Sequence, residues 1–391
     1  MEYQVSIVGG GVCGALVALY LGKSGIKVSL VDRGDPSIKL EDPFIGRTTS
    51  LNLFSIGSFR EVGVWQEIKK NAKEFQEIYV WDSEGSSSIS FNSSEISRGD
   101  LGVIVHNQII LESIYSELKK ISDVNLFTEE NLMEIHETSS KIKIITESGK
   151  EISSEILIGA DGSLSKVRDL ANIPIRTWSY NQLAIVTSVV TERPLGKTAF
   201  QIFTDTGPIA LLPLANGNNE ASLIWSTDES YGNKILKQER NELEKELRLK
   251  TENKFGEMTF NKEVNSFPLH QLHAKKFYKS RSVLIGDSAH TIHPLAGQGL
   301  NLGIADVTEL SQLIASAHRN GKNLYDERIL SLYSKKRERE SYKMIALMEA
   351  FKRGFGSDDL LIKLGRNFAF NVADNVTPLK KKLIKEAAGI I

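Results

Sequence analysis

The sequence predicts an α/β chain in which a parallel-sheet domain is interrupted by a β-rich insertion and closed by C-terminal helices. Three observations predict it. A short apolar strand runs directly into Gly9-Gly10-Gly11-Val12-Cys13-Gly14 and then into an apolar helical face. Two more strand-to-glycine junctions follow, at Gly159-Ala160-Asp161-Gly162 and at Gly286-Asp287-Ser288-Ala289-His290. Between these junctions, residues 175–270 change to closely spaced strand-like runs.

The bulk properties bound the function. The chain has 391 residues, with 41% hydrophobic and 25% charged side chains, an ordinary globular composition for two or three domains. Lys+Arg 48 against Asp+Glu 49 leaves a net charge of −1, so no broad cationic field is available to nucleic acid. A single cysteine, Cys13, excludes an internal disulfide framework and any multi-cysteine metal site. The chain opens Met1-Glu2-Tyr3-Gln4 without a basic or apolar leader, and no apolar run approaches the ~18 residues needed to cross a bilayer. The expectation is a soluble protein of a reduced, intracellular compartment.

Residues 4–8 read as a buried strand. The spacing Gly9-x-Gly11-x-x-Gly14 leads to Ala15, Leu16, Ala18 and Leu19 on a helix, and a second strand, Lys27-Val28-Ser29-Leu30-Val31, ends at Asp32. Strand, glycines, helix, strand and acid in this order fit a Rossmann-like site for an adenine dinucleotide. The first glycine permits a tight turn, the second admits a pyrophosphate and the third allows close helix–strand packing. The phosphates then meet free N–H groups at the helix start, and Asp32 is placed to accept from a ribose hydroxyl. A glycine-rich turn without ligand is the alternative. Cys13, at a helix start, is read as a small packing side chain rather than a reactive thiol.

A polar stretch leads to Arg47, suited to a diphosphate or a second cofactor as well as to the surface. Leu53, Phe54, Ile56, Val62 and Val64-Trp65 suggest a helix. Residues 79–91 look like a hairpin, and Leu101 to Asn107 feed a helix with Ile110, Ile114 and Leu118 on one face. Residues 124–158 read as a β-meander ending at Gly159-Ala160-Asp161-Gly162, a simple turn or a second piece of the cradle. In the β-rich segment a charged helix is expected at about 234–250, and its aromatic residues read as core before ligand box.

The most informative stretch runs from Ser282 to Gly303. A buried strand enters Gly286-Asp287, a loop carries His290, His293, Pro294 and Gly297-Gln298-Gly299, and a helix is expected from about Leu300 to Ala315. Asp287, His290 and His293 have a spacing that invites a metal, but the His-Pro break and glycine loop argue against a rigid ligand face. Asp287 is the better match to a polyol, and the helix start to a developing negative charge.

These three junctions, in this order and spacing, resemble the single-component FAD-dependent aromatic hydroxylases. Ala296-Gly297-Gln298-Gly299-Leu300-Asn301-Leu302-Gly303, Val62-Gly63-Val64-Trp65, Gly207 to Leu214, Phe267-Pro268-Leu269 and Tyr333-x-x-x-Arg337 narrow the resemblance to the ubiquinone-biosynthesis hydroxylases. The resemblance implies FAD bound by Gly9, Gly11 and Gly14 at the pyrophosphate and by Asp32 at the adenosine ribose. It implies Arg47 and Asn107 along the diphosphate and ribityl chain, Asp161 and Gly162 serving FAD and the entry of NADPH or NADH, and Gly286 and Asp287 at the ribityl hydroxyls. Pro294 and Gly297-Gln298-Gly299 would pass beside the flavin ring, with the Leu300 and Asn301 amides near N1 and O2. Ile45 and His106 depart from residues many relatives carry, on the nicotinamide and ribityl side.

The implied domains are 1–75, 101–174 and 271–318 for the FAD-binding domain. The hairpin 76–100 and the sheet 175–270 form the substrate domain, and 319–391 a helical segment. The implied activity is NAD(P)H- and O2-dependent hydroxylation of a polyprenylated phenol through a flavin hydroperoxide, with water kept out by the apolar sheet around Ile209 to Leu214. A soluble phenol, or a low-turnover flavin-binding scaffold, is the alternative. His293, Tyr180, Gln201 and His270 are candidate side chains by residue type alone. The tail Thr377-Pro378-Leu379-Lys380-Lys381-Lys382-Leu383-Ile384-Lys385 reads as an ordinary solvated helix or as one that meets a membrane surface or partner. A ubiquinone-biosynthesis protein complex and a cytoplasmic place, peripheral to the inner membrane, are the expected setting.

Overall fold

The computed structural model describes residues 1–35, 47–83, 88–293, 297–355 and 377–390. Strand β1 (Val5–Val8) lies between β12 (Ile156–Gly159) and β2 (Val28–Val31), all parallel. Beyond them lie β20 (Ser282–Leu284) and β8 (Val124–Phe127), also parallel, with β19 (Tyr278–Lys279) antiparallel at the edge. Every residue of β1, β2, β12 and β20 is buried, as a parallel sheet covered on both faces requires. The hydroxyls of Ser6 and Ser29 satisfy each other inside it at 2.8 Å. Helix α1 (Val12–Lys23) follows β1 and is buried almost all round against α4 (Asn107–Leu118) and α8 (Gln298–Arg319).

The stretch 124–158 is not one meander. Only β9 (Leu132–Glu137), β10 (Ile142–Thr146) and β11 (Glu151–Ser154) pair antiparallel. β10 alternates buried and half-buried residues along its length, whereas Ile156-Leu157-Ile158 is apolar throughout and joins the parallel sheet. A third small sheet, β3 (Thr48–Asn52), β7 (Gly102–His106) and β4 (Lys73–Phe75), was not anticipated around its central strand. The helix expected through Trp65 breaks into α2 (Leu53–Glu61) and α3 (Trp65–Lys69), because Gly63 turns the chain at φ +80°.

The nine-stranded sheet runs β21 (His290–Thr291), β18 (Asn265–Ala274), β13 (Ile175–Thr191), β16 (Glu220–Asp228), β15 (Gly207–Pro213), β14 (Thr198–Thr204), β5 (Glu77–Asp82) and β6 (Ser88–Asn92). β17 (Met258–Phe260) pairs with the end of β13. β5 and β6 form an antiparallel hairpin that joins parallel to β14. Ile185, Ile202, Ile209, Leu211, Leu223 and Trp225 pack on one face with Leu243 and Leu247. The two-residue period sends their neighbours Ala184, Val186, Ala210, Leu212, Ile224 and Ser226 to the other. That second face meets β3, where the Thr48 and Ser222 hydroxyls lie 2.6 Å apart. Of the apolar run Ile209 to Leu214, therefore, Ile209 and Leu211 belong to the core on the side away from β3.

The charged helix near 234–250 is two helices, α6 (Glu229–Ile235) and α7 (Arg240–Lys250), because Glu239 takes up extended backbone at φ −62°, ψ 149°. α8 is longer than expected and begins at Gln298, after Gly297 in a left-handed turn. α9 (Glu327–Phe355) packs along α8. In α10 (Thr377–Ala387) the apolar stripe is docked rather than offered. Ile384 is fully buried against a cluster containing Phe75, Leu101 and Ile104, and Lys380 pairs with Glu95 at 3.1 Å. Lys381, Lys382 and Lys385 remain exposed. Among the described residues no helix is long and apolar enough to cross a membrane.

Candidate active site

The three glycine junctions meet around the start of α1. A Cβ on Gly9, at φ +104°, would lie 2.3 Å from the Ala160 carbonyl oxygen, so the second junction packs directly behind the first. A Cβ on Gly14 would lie 1.8 Å from the Gly9 carbonyl oxygen. The third junction closes on Cys13, whose Sγ would lie 3.1 Å from a Cβ on Gly286 and 2.7 Å from one on Gly303. Cys13 is thus a packing residue. Burial first, then Asp287 and Asp306, push its thiol pKa well up, the opposite of activation.

Gly11, Gly162 and Gly299 are different, because a Cβ there would meet nothing within 4 Å. Gly11 precedes the first turn of α1, whose leading N–H groups have no partner within the helix. Asp32 is anchored beside it, accepting from the Gly10 N–H at 2.5 Å and the Gly34 N–H at 2.8 Å. Tyr115 donates to the Gly10 carbonyl at 2.9 Å.

Arg47 and Asn107 are neighbours across β3 and β7. The Asn107 N–H donates to the Arg47 carbonyl at 2.9 Å, and its side-chain oxygen accepts from the Thr49 hydroxyl at 2.5 Å. The Arg47 guanidinium is exposed and lies 4.8 Å from the Phe267 ring centre, reaching from the cradle to the large sheet. Asp161 faces inward to its own loop, accepting from the Ser165 hydroxyl at 2.5 Å and from the Lys166 and Val167 N–H groups at 2.7 and 3.1 Å. Burial raises its pKa against those donors. Its carboxylate therefore also serves the start of α5 (Lys166–Leu170), and Gly162 is an open position of that junction.

Asp287 keeps an exposed carboxylate in a recess of the fold. Desolvation there raises its pKa, opposed by His290, Arg47 and His270. Pro294 and Ile45 lie outside the described residues. Gly297, at φ +62°, sits against Ser50 and lets α8 begin at Gln298 and Gly299, so the N–H groups of Gln298, Gly299 and Leu300 head the helix. The Asn301 side chain locks this start in place. It accepts from the Asn52 N–H (3.0 Å) and Ser55 hydroxyl (2.7 Å) and donates to the Ser50 (2.6 Å) and Gly297 (3.2 Å) carbonyls.

The FAD binding domain family matches residues 2–347. The chain is 28% identical to the 3-demethoxyubiquinol 3-hydroxylase of Escherichia coli, over 99% of this chain and 98% of that one. It is 30% identical to the ubiquinone biosynthesis monooxygenase COQ6, mitochondrial, of Caenorhabditis elegans, over 98% and 95%. The chain belongs to this family. It is an FAD-dependent aromatic monooxygenase. Among solved structures, p-nitrophenol 4-monooxygenase PnpA from Pseudomonas putida shares the fold at a TM-score of 0.82 and 18% identity, covering 99% of this chain and 98% of that one. FAD fits the residues present: an open glycine before α1, an anchored acid at the end of β2, an exposed arginine, an exposed acid after β20 and the N-terminal head of α8.

Of the side chains singled out by type alone, His293 and Tyr180 are in contact. The His293 Nε2 lies 3.2 Å from the Gln182 side-chain oxygen, and its ring meets Tyr180 edge-on at 5.0 Å. Tyr180 donates to Gln271 at 2.5 Å. Gln201 donates to the Ile209 carbonyl at 3.3 Å, and His290 turns away to Asp306 at 2.5 Å. Asp287, His290 and His293 therefore do not converge on a point. Sequence reasoning missed Asp306, Thr49, Ser55 and Tyr115. The one available signal was Tyr333-x-x-x-Arg337, whose spacing puts both side chains on one helical face.

Proposed function

We propose that this enzyme hydroxylates the ring of a polyprenylated phenol in ubiquinone biosynthesis, drawing electrons from NADPH or NADH and the oxygen atom from O2. Bound FAD supplies the oxygen activation. The chain's residues bind it, exclude water and hold the substrate ring. The observation that supports the reading is the inner face of the large sheet, which meets β3 and so adjoins the cradle. That face presents Ala184, Val186, Ala210, Ile224 and Ser226, and Arg47 lies over Phe267 beside it. Small and aliphatic side chains suit a flat ring with an apolar tail. The head of α8 would stabilise negative charge accumulating on the pyrimidine side of the cofactor.

On this reading residues 76–100 and 175–270 serve the substrate, and 1–75, 101–174 and 271–318 serve FAD. Each buried methylene of a prenyl chain contributes ~0.8 kcal/mol, so the substrate stays in a membrane or carrier until presented. A cytoplasmic enzyme would then meet the inner membrane peripherally, through the exposed lysines of α10 or through a ubiquinone-biosynthesis protein complex.

The test is the quinone fraction of a deletion strain, analysed by mass spectrometry. Accumulation of a prenylated phenol lacking one ring hydroxyl is expected, and its restoration by the gene. An unchanged quinone pool in a strain without a second hydroxylase sinks the reading. Purified enzyme that hydroxylates small hydroxybenzoates with no gain from a prenyl chain would favour the soluble phenol. Bound FAD with no phenol-dependent NAD(P)H oxidation would favour a scaffold.

A further inference from the structure

The turn that carries Asp287 is held from behind by a charge network outside the cradle. Asp306, on α8, has no solvent exposure. One of its carboxylate oxygens accepts from the Gly286 backbone N–H at 2.9 Å and pairs with His290 Nε2 at 2.5 Å; the other accepts from Arg337 Nε at 2.6 Å. Arg337 reaches across from α9 and also donates to the Leu302 carbonyl at 3.1 Å. One turn earlier on α9, Tyr333 donates to the Leu284 carbonyl at 2.8 Å, at the end of β20. Helix α9 therefore grips the strand before the turn and, through Asp306, the turn itself.

Stability alone does not account for this arrangement, since well-packed apolar side chains commonly replace a buried ion pair at no loss. An apolar trio could not engage the Gly286 N–H, which lies at φ +61° in the turn that directs Asp287 outward. Burial works to raise the Asp306 pKa, but His290 and then Arg337 more than offset it and hold the group below the ordinary carboxylate range.

We propose that Asp306 is a positioning residue for the cofactor: its carboxylate fixes the Gly286–Asp287 turn, and Arg337 is the remote partner that holds that carboxylate in place. The proposal rests on the reading that Asp287 faces bound FAD. The titratable groups around Asp306 are Cys13 from α1, Asp287 from the turn, His273 from β18 and His290 from β21. Tyr333 and Arg337 face it from α9, and Glu309 lies on its own helix.

The experiment is FAD release from the purified holoprotein, followed by flavin fluorescence from pH 5 to 8, with thermal melts to establish folding. Asp306→Asn should weaken FAD on the order of 10- to 100-fold, as expected for a group that orients a ligand-binding one. Arg337→Gln raises the Asp306 pKa, so its affinity should fall further as pH drops, whereas Arg337→Lys should restore a flat profile. Lys336→Met, on the exposed side of α9, should match the parent. Wild-type affinity in Asp306→Asn overturns the proposal. If Asp306→Asn does not fold, the arginine pair decides: a loss in Arg337→Gln that is independent of pH marks a packing role and overturns it too. Asp287→Asn with unchanged affinity would instead remove the reading beneath it.

Discussion

The two walls that meet at β3 are built by different means. On the cofactor side, fit is set by backbone: Gly9 against Ala160, Gly14 against Gly9, Gly286 and Gly303 against Cys13. On the sheet side it is set by side chains that alternate along β13, β15 and β16, mostly small or aliphatic, with the Ser222 hydroxyl against Thr48 as a polar contact. The lesson is that the first wall admits no added atom at Gly9 or Gly14, while half-buried aliphatic positions of the second, such as Val186, can change size at less cost to the fold. A family built this way keeps its cofactor and varies its substrate.

The largest effect should come from the glycines, and it should split them. Gly14→Ala drives a methyl into the Gly9 carbonyl and is expected to cost at least ~3 kcal/mol, losing stability and flavin together. Gly11→Ala meets no protein atom, so the flavin-free protein should melt within about 0.5 kcal/mol of the parent while FAD content falls at least tenfold. Calorimetry of the flavin-free forms and absorbance of the loaded ones measure both. Gly11→Ala with full FAD content would remove the pyrophosphate from that position.

This split also explains what could be read in advance. The glycine junctions are local: strand, turn and helix follow one another in the chain, so their geometry is written in consecutive residues. Asp306 finds His290 and Arg337 across 16 and 31 residues, from separate elements, and no local pattern pairs them. Ile209 and Leu211 read as part of one water-excluding surface because a run of apolar residues does not declare which alternate members face which way. Asp161 lies in a motif that reads as a ligand contact, and only the fold shows that its carboxylate also caps α5. The tail illustrates the same limit. Its amphipathic pattern specifies that one face is buried, and only the fold says that the burial is against Phe75 and Leu101.

Next in size is a pH effect on the wall that joins the two halves. His273, on β18, is held by burial and by neighbouring His290 at a pKa of about 4, below its ordinary 6.5, and lies 2.9 Å from the Ser341 hydroxyl. The unfolded chain takes up that proton more readily, so stability is full above pH 6.5 and is lost as pH falls toward 4. The loss should approach 3 kcal/mol, on the order of 1.4 kcal/mol per unit. His273→Gln should flatten urea-unfolding stability across that window. An unchanged slope would assign the acid loss to other groups.

A smaller, selective effect is expected on the sheet wall. Val186 is half-buried on the inner face, paired with Ile224. Val186→Phe should leave FAD content and melting temperature as they are and raise KM for the phenol about tenfold, ~1.4 kcal/mol of lost binding. A fall in flavin content instead would mean that the two walls are not independent.

The smallest effect concerns α10. Because Ile384 and Ala388 are buried, this helix cannot insert its apolar stripe into a bilayer while docked, and any membrane contact must be electrostatic. Each lysine near an anionic surface contributes about 1 kcal/mol, and that contribution is screened by salt. Lys381→Gln, Lys382→Gln and Lys385→Gln together should leave melting temperature and FAD content unchanged. They should lower co-flotation with anionic vesicles at low salt, with little difference at high salt. Equal flotation of parent and triple variant at low salt would remove α10 from the contact and send the search for a membrane-facing surface elsewhere, to Trp178 and Tyr342, each 40% exposed on β13 and α9.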